Sequence, residues 1–190
     1  MFERFTKDAR AVVEGAVGHA EREGAERVEE THMLLALLDR EGSRGSFALA
    51  SLGLPPGGRD GLVGELAEAR RRGGLSRADA DALSGLGIDL SDIVSRVEEV
   101  HGEGALAAGV RSGALGGWSG RRPFGRSAKD LLVGTLRVAV ARRERSIGDE
   151  HILLALVARP GVPAEALADH GVTYDSLTRV LYGEGQAKAG

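Results

Sequence analysis

Two histidines, His32 and His151, are the residues best placed for acid–base or metal chemistry in this chain. Thr31 directly precedes the first and Glu150 directly precedes the second, and an apolar stretch follows each. An imidazole titrates near neutral pH, so it can act as a general base or as a metal ligand. The alternative, which we favour, is a buried imidazole that hydrogen-bonds to the backbone where a helix starts. No H-E-x-x-H motif and no other metal-like histidine spacing occurs, so we expect no metal site.

Other catalytic patterns are missing from the sequence. No nucleophile–base–orienter set and no carboxylate pair of fixed spacing is recognisable. No G-x-x-x-x-G-K-[ST] motif is present to hold phosphates, and the chain has no cysteine for thiolate metal sites or disulfides. We therefore expect a protein that is not an enzyme and that needs no cofactor.

Composition limits the classes of partner. The chain has 190 residues, 42% of them hydrophobic, and a net charge of −3, which removes a global attraction to nucleic acid. The basic runs 70–72, 121–122 and 142–143 are scattered and lack interleaved aromatics, which is typical of solvated surface. The first residues do not form a signal peptide, and no stretch approaches membrane-spanning length. These features predict a cytoplasmic protein that binds neither nucleic acid nor membrane, and the abundance of Ala, Arg and Gly indicates a bacterial source.

An internal repeat organises the chain. Residues 32–37 recur as residues 151–156, and Phe5 recurs as Phe124 in the same register. Val28 recurs as Ile147 in the same register. A match of this length in one order indicates two copies of a single supersecondary unit.

Helical periodicity predicts the elements of both copies. In the first, Thr6 caps a helix whose apolar face runs to Ala20, and further helices follow at 31–40 and 46–52. After Gly87, the residues Leu90, Ile93, Val94 and Val97 predict the fourth helix of the first copy. No segment alternates with a period of two, so the predicted fold class is all-α. The helices predicted for the second copy span 127–143, 149–158, 163–168 and 173–182.

The two copies diverge after residue 53. Matching Gly87-Ile88 with Gly171-Val172 predicts an insertion at about residues 54–86 of the first copy. Leu62, Val63, Leu66 and Ala69 predict an amphipathic helix inside it, and Ser76 caps a shorter helix. The predicted divisions are 1–101 for the first repeat, 102–123 for a glycine-rich linker, 124–182 for the second repeat and 183–190 for a disordered tail. Trp118 in the linker either packs into a groove or anchors a partner.

The repeated residues resemble a known family. Phe2-Glu3-Arg4-Phe5-Thr6, Ala9-Arg10 and the two histidine stretches are similar to the double-repeat N-terminal domain of Clp ATPases, most closely the ClpC type. The resemblance covers 1–53 and 87–182. It implies two pseudo-twofold-related four-helix repeats that receive substrates and adaptors for AAA+ unfolding and proteolysis. Without a phosphate-binding loop, the chain is expected to be a free-standing N-terminal domain without AAA+ modules.

The resemblance also implies two pockets for phosphorylated arginine. In ClpC-type domains each uses a threonine near the start of a repeat and the glutamate just before the histidine. A carboxylate accepts hydrogen bonds from a guanidinium, and a helix N-terminus favours phosphate. Here Thr31 stands at one glutamate position and Gly125 at one threonine position, so we favour degenerate pockets. The residues expected to form what remains are Thr6, Thr31, Glu30, Glu150 and Asp149.

A partner surface between the repeats is the second site that the resemblance implies. Phe2, Arg10, Phe124 and Lys129 correspond to it, and the two cations stand at equivalent positions of the copies. In the family, partners and cyclic-peptide antibiotics dock there. The expected partners are a ClpC-type AAA+ unfoldase or its substrates and adaptors.

The predicted function is therefore a non-catalytic protein- or peptide-binding module that acts as adaptor, decoy or sequestering protein in Clp-dependent proteolysis. The alternative is a binder of cyclic-peptide antibiotics that protects the Clp machine. An enzyme that uses the groove between the repeats is the least favoured hypothesis.

Overall fold

The computed structural model describes residues 3–106 and 122–183, and within these ranges it contains ten α-helices and no strand. A short 3₁₀ turn, Pro56–Gly58, precedes the fourth helix. The predicted all-α class is confirmed. The helices are α1 Lys7–Arg22, α2 Glu30–Leu38, α3 Arg44–Ser51, α4 Asp60–Arg71, α5 Arg77–Gly85, α6 Leu90–His101, α7 Arg126–Ala141, α8 Asp149–Val157, α9 Val162–Asp169 and α10 Tyr174–Tyr182.

Two short apolar helices, α2 and α8, form the centre of the core. Almost every side chain of both is buried, as expected for helices that are apolar on all sides. Gly15 of α1 lies against Ala36 of α2, where an added Cβ atom would stand 3.1 Å from the alanine methyl carbon. Gly134 of α7 occupies the equivalent place against Ala155 of α8. Small residues therefore let each long helix approach its buried partner closely.

Backbone pairing joins the two repeats in a crossed arrangement. Phe5 pairs with Ile147, and Val28 pairs with Phe124, each as an isolated parallel bridge. The Thr6 amide donates to the Ile147 carbonyl at 2.9 Å, in the same way that the amide after Phe124 donates to Val28 at 2.8 Å. The repeated residues thus exchange places across the junction, in agreement with the pseudo-twofold relation that the family resemblance implies.

The fourth helix of each repeat follows a buried residue in the same local geometry. The Leu54 amide donates to the Leu49 carbonyl, and the Val172 amide donates to the Leu167 carbonyl, both at 2.9 Å. Both residues are buried, at 2% and 0% exposure. Beyond them, α4 packs on α9 in the way that α10 packs on α3. The contacts of α4 are therefore those of a fourth helix.

This packing places the additional residues of the first repeat further along the sequence than the match between the two copies does. Ile88, which the alignment pairs with Val172, is 40% exposed, and Val94 is the single buried residue of α6. The boundary near residue 54 therefore needs correction: α4 holds the fourth-helix position, and α5 and α6 are the additional segment. The predicted amphipathic helix does form, with Leu62 and Leu66 buried and Val63 facing outward.

The additional segment is attached mainly through polar contacts. Arg71 at the end of α4 forms a two-point ion pair with Glu98 of α6, with N–O distances of 2.9 and 2.6 Å. This hydrogen-bonded pair holds the pKa of the Glu98 carboxyl at about 2. Few apolar side chains are buried in α5 and α6, so the segment adds little to the core.

One charged side chain lies inside the first repeat. Arg59, which is 3% exposed, donates to the carbonyls of Leu38, Arg40 and Leu54 and to the hydroxyl of Ser46. These acceptors lie at the end of α2, in α3 and in the following loop. Arg59 therefore links the end of α2, the helix α3 and the loop after α3 through side-chain hydrogen bonds. Burial lowers the pKa of its guanidinium.

No single helix in the described ranges is both long and apolar enough to cross a membrane. Taken together, α8 and α9 reach that length and composition, but the pair is bent by 95°.

Candidate functional site

Both repeated histidines serve as caps for the buried helices. The amide of Glu29 donates to His32 Nδ1 at 2.8 Å, and the amide of Gly148 donates to His151 Nδ1 at 2.9 Å. Because Nδ1 accepts, the proton of each neutral ring lies on Nε2. His32 Nε2 lies 2.9 Å from Glu23, and burial lowers the pKa of both rings. The structure thus shows both histidines as buried imidazoles that accept a hydrogen bond from the backbone where a helix starts.

A possible metal cluster lies beside the second histidine. Ligand atoms of Glu144, Glu150 and His151 all lie within 4.8 Å of one another. However, Nε2 of His151 carries the proton and has no lone pair to give to a metal. Arg44 also lies 2.8 Å from one carboxylate and 3.6 Å from the other. These residues therefore fit a bound cationic side chain and do not fit a metal ion.

Glu150 lies at the centre of a small ionic cluster. Its carboxylate is 4% exposed and pairs with Arg44 of α3 at 2.8 Å. The Arg44 guanidinium stands 5.6 Å from the ring centroid of Tyr182, and that of Arg142 stands 3.7 Å from the same ring. Burial raises the pKa of the Glu150 carboxyl to about 7, although Arg44 acts in the opposite direction. Much of the cost of burying this carboxylate is therefore not offset by its partner.

The raised pKa of Glu150 predicts a pH dependence of stability. Between the usual glutamate pKa and about 7, the folded state keeps a proton that the unfolded state has lost, so the free energy of unfolding falls as pH rises. Glu150→Gln removes this titration. We expect the stability of Glu150→Gln relative to wild type to increase between about pH 5 and pH 7.5, by up to roughly 3 kcal/mol.

Urea unfolding at several pH values measures this difference. The matched control is Glu14→Gln, which changes an exposed carboxylate on α1. Parallel stability curves for wild type and Glu150→Gln across this range would contradict the assignment.

Asp149, one of the expected pocket residues, contacts the start of α3. Its Oδ2 accepts from the Ser43 hydroxyl and from the Gly45 amide, the latter at 3.1 Å. The same hydroxyl accepts from the Ser46 amide and caps α3. Asp149 thus joins the start of α3 to the start of α8, and its buried carboxylate is already used inside the fold.

The threonine and glutamate positions combine across the repeats. Thr6, whose hydroxyl caps α1 by accepting from a backbone amide at 3.2 Å, pairs with Ile147, three residues before Glu150. In the same way, the Gly125 amide donates to the carbonyl of Val28, three residues before Thr31. Taken within each repeat, the sequence would instead pair Thr6 with Thr31 and Gly125 with Glu150. In the structure one side keeps both the threonine and the glutamate, and the other side has neither.

An open cavity of about 530 Å³ marks the side that has lost both residues. Glu30 and Thr31 at the start of α2 line it, together with Val162 at the start of α9. The Glu30 amide donates to Ser127, and its carboxylate lies 3.8 Å from Arg159. Burial raises the pKa of Glu30. The five predicted pocket residues therefore divide between two separate sites.

The expected surface between the repeats is only partly described. Arg10 and Lys129 are exposed at equivalent positions of α1 and α7, and the Arg10 Nε donates to the Phe5 carbonyl at 3.0 Å. Phe124 is half-buried and packs against the core. Phe2 lies outside the described residues, as do Trp118, the middle of the predicted linker and the tail from residue 184.

Sequence reasoning missed Arg44, Arg142 and Tyr182. A signal did exist for Arg44, because the equivalent position of the second repeat is Val162 and a charge replaces an apolar residue in one copy only. Its partners come from α8 and α10, more than a hundred residues away, and no local pattern indicates them.

Residues 123–188 match the family model of the Clp repeat (R) N-terminal domain. This segment is therefore similar to a Clp repeat. The whole chain is similar in fold to the crystal structure of the N-terminal domain of the caseinolytic protease associated chaperone ClpD from Arabidopsis thaliana. That alignment has a TM-score of 0.53 and 19% identity, and it covers 95% of this chain and 94% of that one.

A second solved structure, described as "Preliminary structural investigations of a malarial protein secretion system", aligns with a TM-score of 0.55 and 12% identity over 94% of this chain and 92% of that one. At these identities the similarity establishes the fold. Together with the Clp repeat match, it confirms the resemblance to Clp N-terminal domains.

Proposed function

We propose that this domain is a non-catalytic protein- or peptide-binding module in Clp-dependent proteolysis, and that it acts as adaptor, decoy or sequestering protein for a ClpC-type unfoldase. The observation that carries the proposal is the pair of exposed cations, Arg10 and Lys129, at equivalent positions of a Clp-type double repeat. Nδ1 of each repeated histidine already accepts a hydrogen bond from a backbone amide at a helix start. We therefore assign the exposed surface a role in binding and not in proton transfer.

The cations suit a partner that is acidic or that presents backbone carbonyl oxygens. Lys129 has no ion-pair partner among the described residues, and Arg10 reaches one backbone carbonyl of its own helix start. Both side chains are exposed, so they can meet a partner without a conformational change. Charged groups at an interface of this kind chiefly steer association and select the partner.

Charge reversal at this surface is the test. We expect Arg10→Glu/Lys129→Glu to weaken binding to an immobilised ClpC-type unfoldase by roughly tenfold or more, because two attractive contacts become repulsive. Biolayer interferometry at two salt concentrations measures the loss and its electrostatic origin.

The matched control is Arg137→Glu, an exposed cation further along α7. It changes the net charge without touching the proposed surface, and it is expected to bind like wild type. Equal loss in the control and the double variant would attribute the effect to net charge and reject the surface.

Phosphoarginine binding, if tested on this domain, has one preferred side. Thr6 and Glu150 lie on the same side of the repeat junction, whereas Gly125 and Thr31 stand at the equivalent positions on the other. We infer that any such binding depends on Glu150. Titration calorimetry of wild type and Glu150→Ala with phosphoarginine tests this, and equal binding by both proteins would overturn it.

A further inference from the structure

The additional helices α5 and α6 repeat the helix pair that completes each repeat. The motif Ala-Leu-x-x-x-Gly followed by an aliphatic residue occurs at 48–54, 82–88 and 166–172. In all three segments, the amide of the aliphatic residue donates to the carbonyl of the motif leucine at 2.9 Å, and the glycine has a positive φ. We call α3–α4, α5–α6 and α9–α10 the closing pairs, because the first and the last complete a repeat.

The match between α5–α6 and α9–α10 includes the ends of the helices. At an offset of 84 residues, Gly85 at the end of α5 matches Asp169 at the end of α9, and the starts of α6 and α10 match as well. Asp89 and Thr173 precede α6 and α10, and each caps its helix with a side-chain oxygen. A match in motif, turn and helix ends indicates a third copy of one structural unit.

The closing pair α5–α6 differs from its copy in exposure. Val172 and Leu177 are both 0% exposed, whereas the matching residues Ile88 and Ile93 are 40% and 41% exposed. No residue of α5 is buried. Aliphatic side chains at the core positions of a repeated unit therefore leave a large part of an apolar face uncovered.

The closing pairs outnumber the places for them. Both α3 and α9 contact the two buried helices α2 and α8, so the place of a closing pair in each repeat is filled within the described ranges. The pair α5–α6 lies outside, where the backbone amide of Arg77 donates to Glu165 at 3.0 Å and its guanidinium pairs with Asp169 at 3.2 Å. Exposed ion pairs of this kind contribute little to stability.

We propose that α5–α6 is an alternative occupant of the place of α3–α4, so that the first repeat has two packings of the same chain. In the second packing, Ile88 and Ile93 are buried and α3–α4 leaves the core. The proposal concerns the conformation of the first repeat, and the proposed function does not depend on it.

The occupant of the first repeat fits the buried pattern of the second repeat less well than α5–α6 does. Counted from the motif, Arg59 stands where the second repeat has Leu177 and where α5–α6 has Ile93. The 3₁₀ turn Pro56–Gly58 also replaces the first turn of the fourth helix. Burying a charged group costs more than burying a hydrocarbon, so the two packings differ less in free energy than the buried area alone indicates.

The connections of the chain allow the exchange. In the second packing, residues 39–76 form the connection between α2 and α5. The entropy cost of closing a loop grows only slowly with its length. Two packings of one sequence can therefore lie close in free energy when equivalent units compete for one place.

The exchange changes the surroundings of α8. In the described packing, Arg44 at the start of α3 donates to Glu150 at 2.8 Å. Ala78 stands at the matching position of α5. The second packing therefore removes the guanidinium partner of Glu150, and the exchange couples the first repeat to the ionic cluster of the second.

Thiol labelling of the full chain tests the proposal. The chain has no cysteine, and Leu54 is 2% exposed, so Leu54→Cys supplies a single thiol that reacts only when α3–α4 leaves the core. Adding Ile88→Asp/Ile93→Asp is expected to slow the reaction of this thiol with iodoacetamide at least fivefold, because a carboxylate at these positions prevents burial of α5–α6.

The matched control is Ser95→Asp/Val100→Asp in the same Leu54→Cys chain. It adds two carboxylates to exposed positions of α6 that match no buried residue of α10. Its labelling rate is expected to equal that of Leu54→Cys alone, at every protein concentration. A rate that rises with protein concentration would assign the exchange to two copies and overturn the exchange within one chain.

A second measurement shifts the equilibrium the other way. Leu49 is fully buried in α3, and Leu49→Asp is expected to expel α3–α4 while the chain stays folded. Ile93→Cys is then expected to label at least tenfold more slowly in the Leu49→Asp chain than in the chain with Leu49, because α5–α6 enters the core. Val100→Cys, at a 75% exposed position, is expected to label rapidly in both.

Equal labelling of Leu54→Cys with and without Ile88→Asp/Ile93→Asp would overturn the proposal. Labelling of Ile93→Cys that Leu49→Asp does not slow, as in an unfolded chain, would overturn it as well. Either result would leave the proposed function standing, because the charge reversal of Arg10 and Lys129 tests that separately.

Discussion

Replacing Leu154 with alanine is expected to lower the free energy of unfolding by about 2–5 kcal/mol. Leu154 is fully buried in the middle of α8, one of the two helices that form the centre of the core. Removing three carbon atoms there leaves a cavity that rigid neighbours cannot fill. Leu35, its equivalent in α2, is 8% exposed and is expected to show a loss in the same range.

Urea unfolding followed by circular dichroism measures these changes. Leu86→Ala is the matched control, because the same side chain is 78% exposed at the end of α5. It is expected to change stability by less than about 0.5 kcal/mol. A loss below this value at Leu154 would show that α8 is not central.

Replacing Arg59 with alanine is expected to cost about 2–4 kcal/mol. The guanidinium donates to three carbonyls and one hydroxyl in the interior of the first repeat, and its loss leaves these acceptors without donors. Lysine carries the charge but lacks the planar fork of donors, so Arg59→Lys is expected to recover only a small part.

The control for this prediction is Arg96→Ala. Arg96 is 75% exposed and forms an ion pair with Asp92 one helical turn away, which contributes little. Similar urea midpoints for Arg59→Ala and Arg96→Ala would contradict the structural role of Arg59.

The repeat and the all-α class could be predicted because both depend on local patterns. The apolar stretches around Leu35 and Leu154 recur in register, and helical periodicity identifies the long helices. The position of the extra segment could not be predicted in this way. Gly53-Leu54 and Gly87-Ile88 each follow the end of a helix in the same way. The Leu54 amide donates to the Leu49 carbonyl, and the Ile88 amide donates to the Leu83 carbonyl, both at 2.9 Å. Only burial distinguishes them, and burial depends on contacts with α9.

The candidate sites show the same limit. The family resemblance implies Glu150 and Thr6 as site residues, yet they combine across the repeats through the pairing of Phe5 with Ile147. Arg44 meets Glu150 and Tyr182 only because α3, α8 and α10 converge. Such long-range contacts have no periodic signature, so a comparison of the two copies position by position is the one sequence signal for them.

Hydrogen–deuterium exchange of the protein, alone and with an excess of ClpC-type unfoldase, tests the central claim most directly. If the domain is a Clp-type binding module, the partner slows exchange at the starts of α1 and α7, around Arg10 and Lys129, while exchange in α5 and α6 stays unchanged. Identical exchange with and without the unfoldase, or protection confined to α5 and α6, would contradict the account.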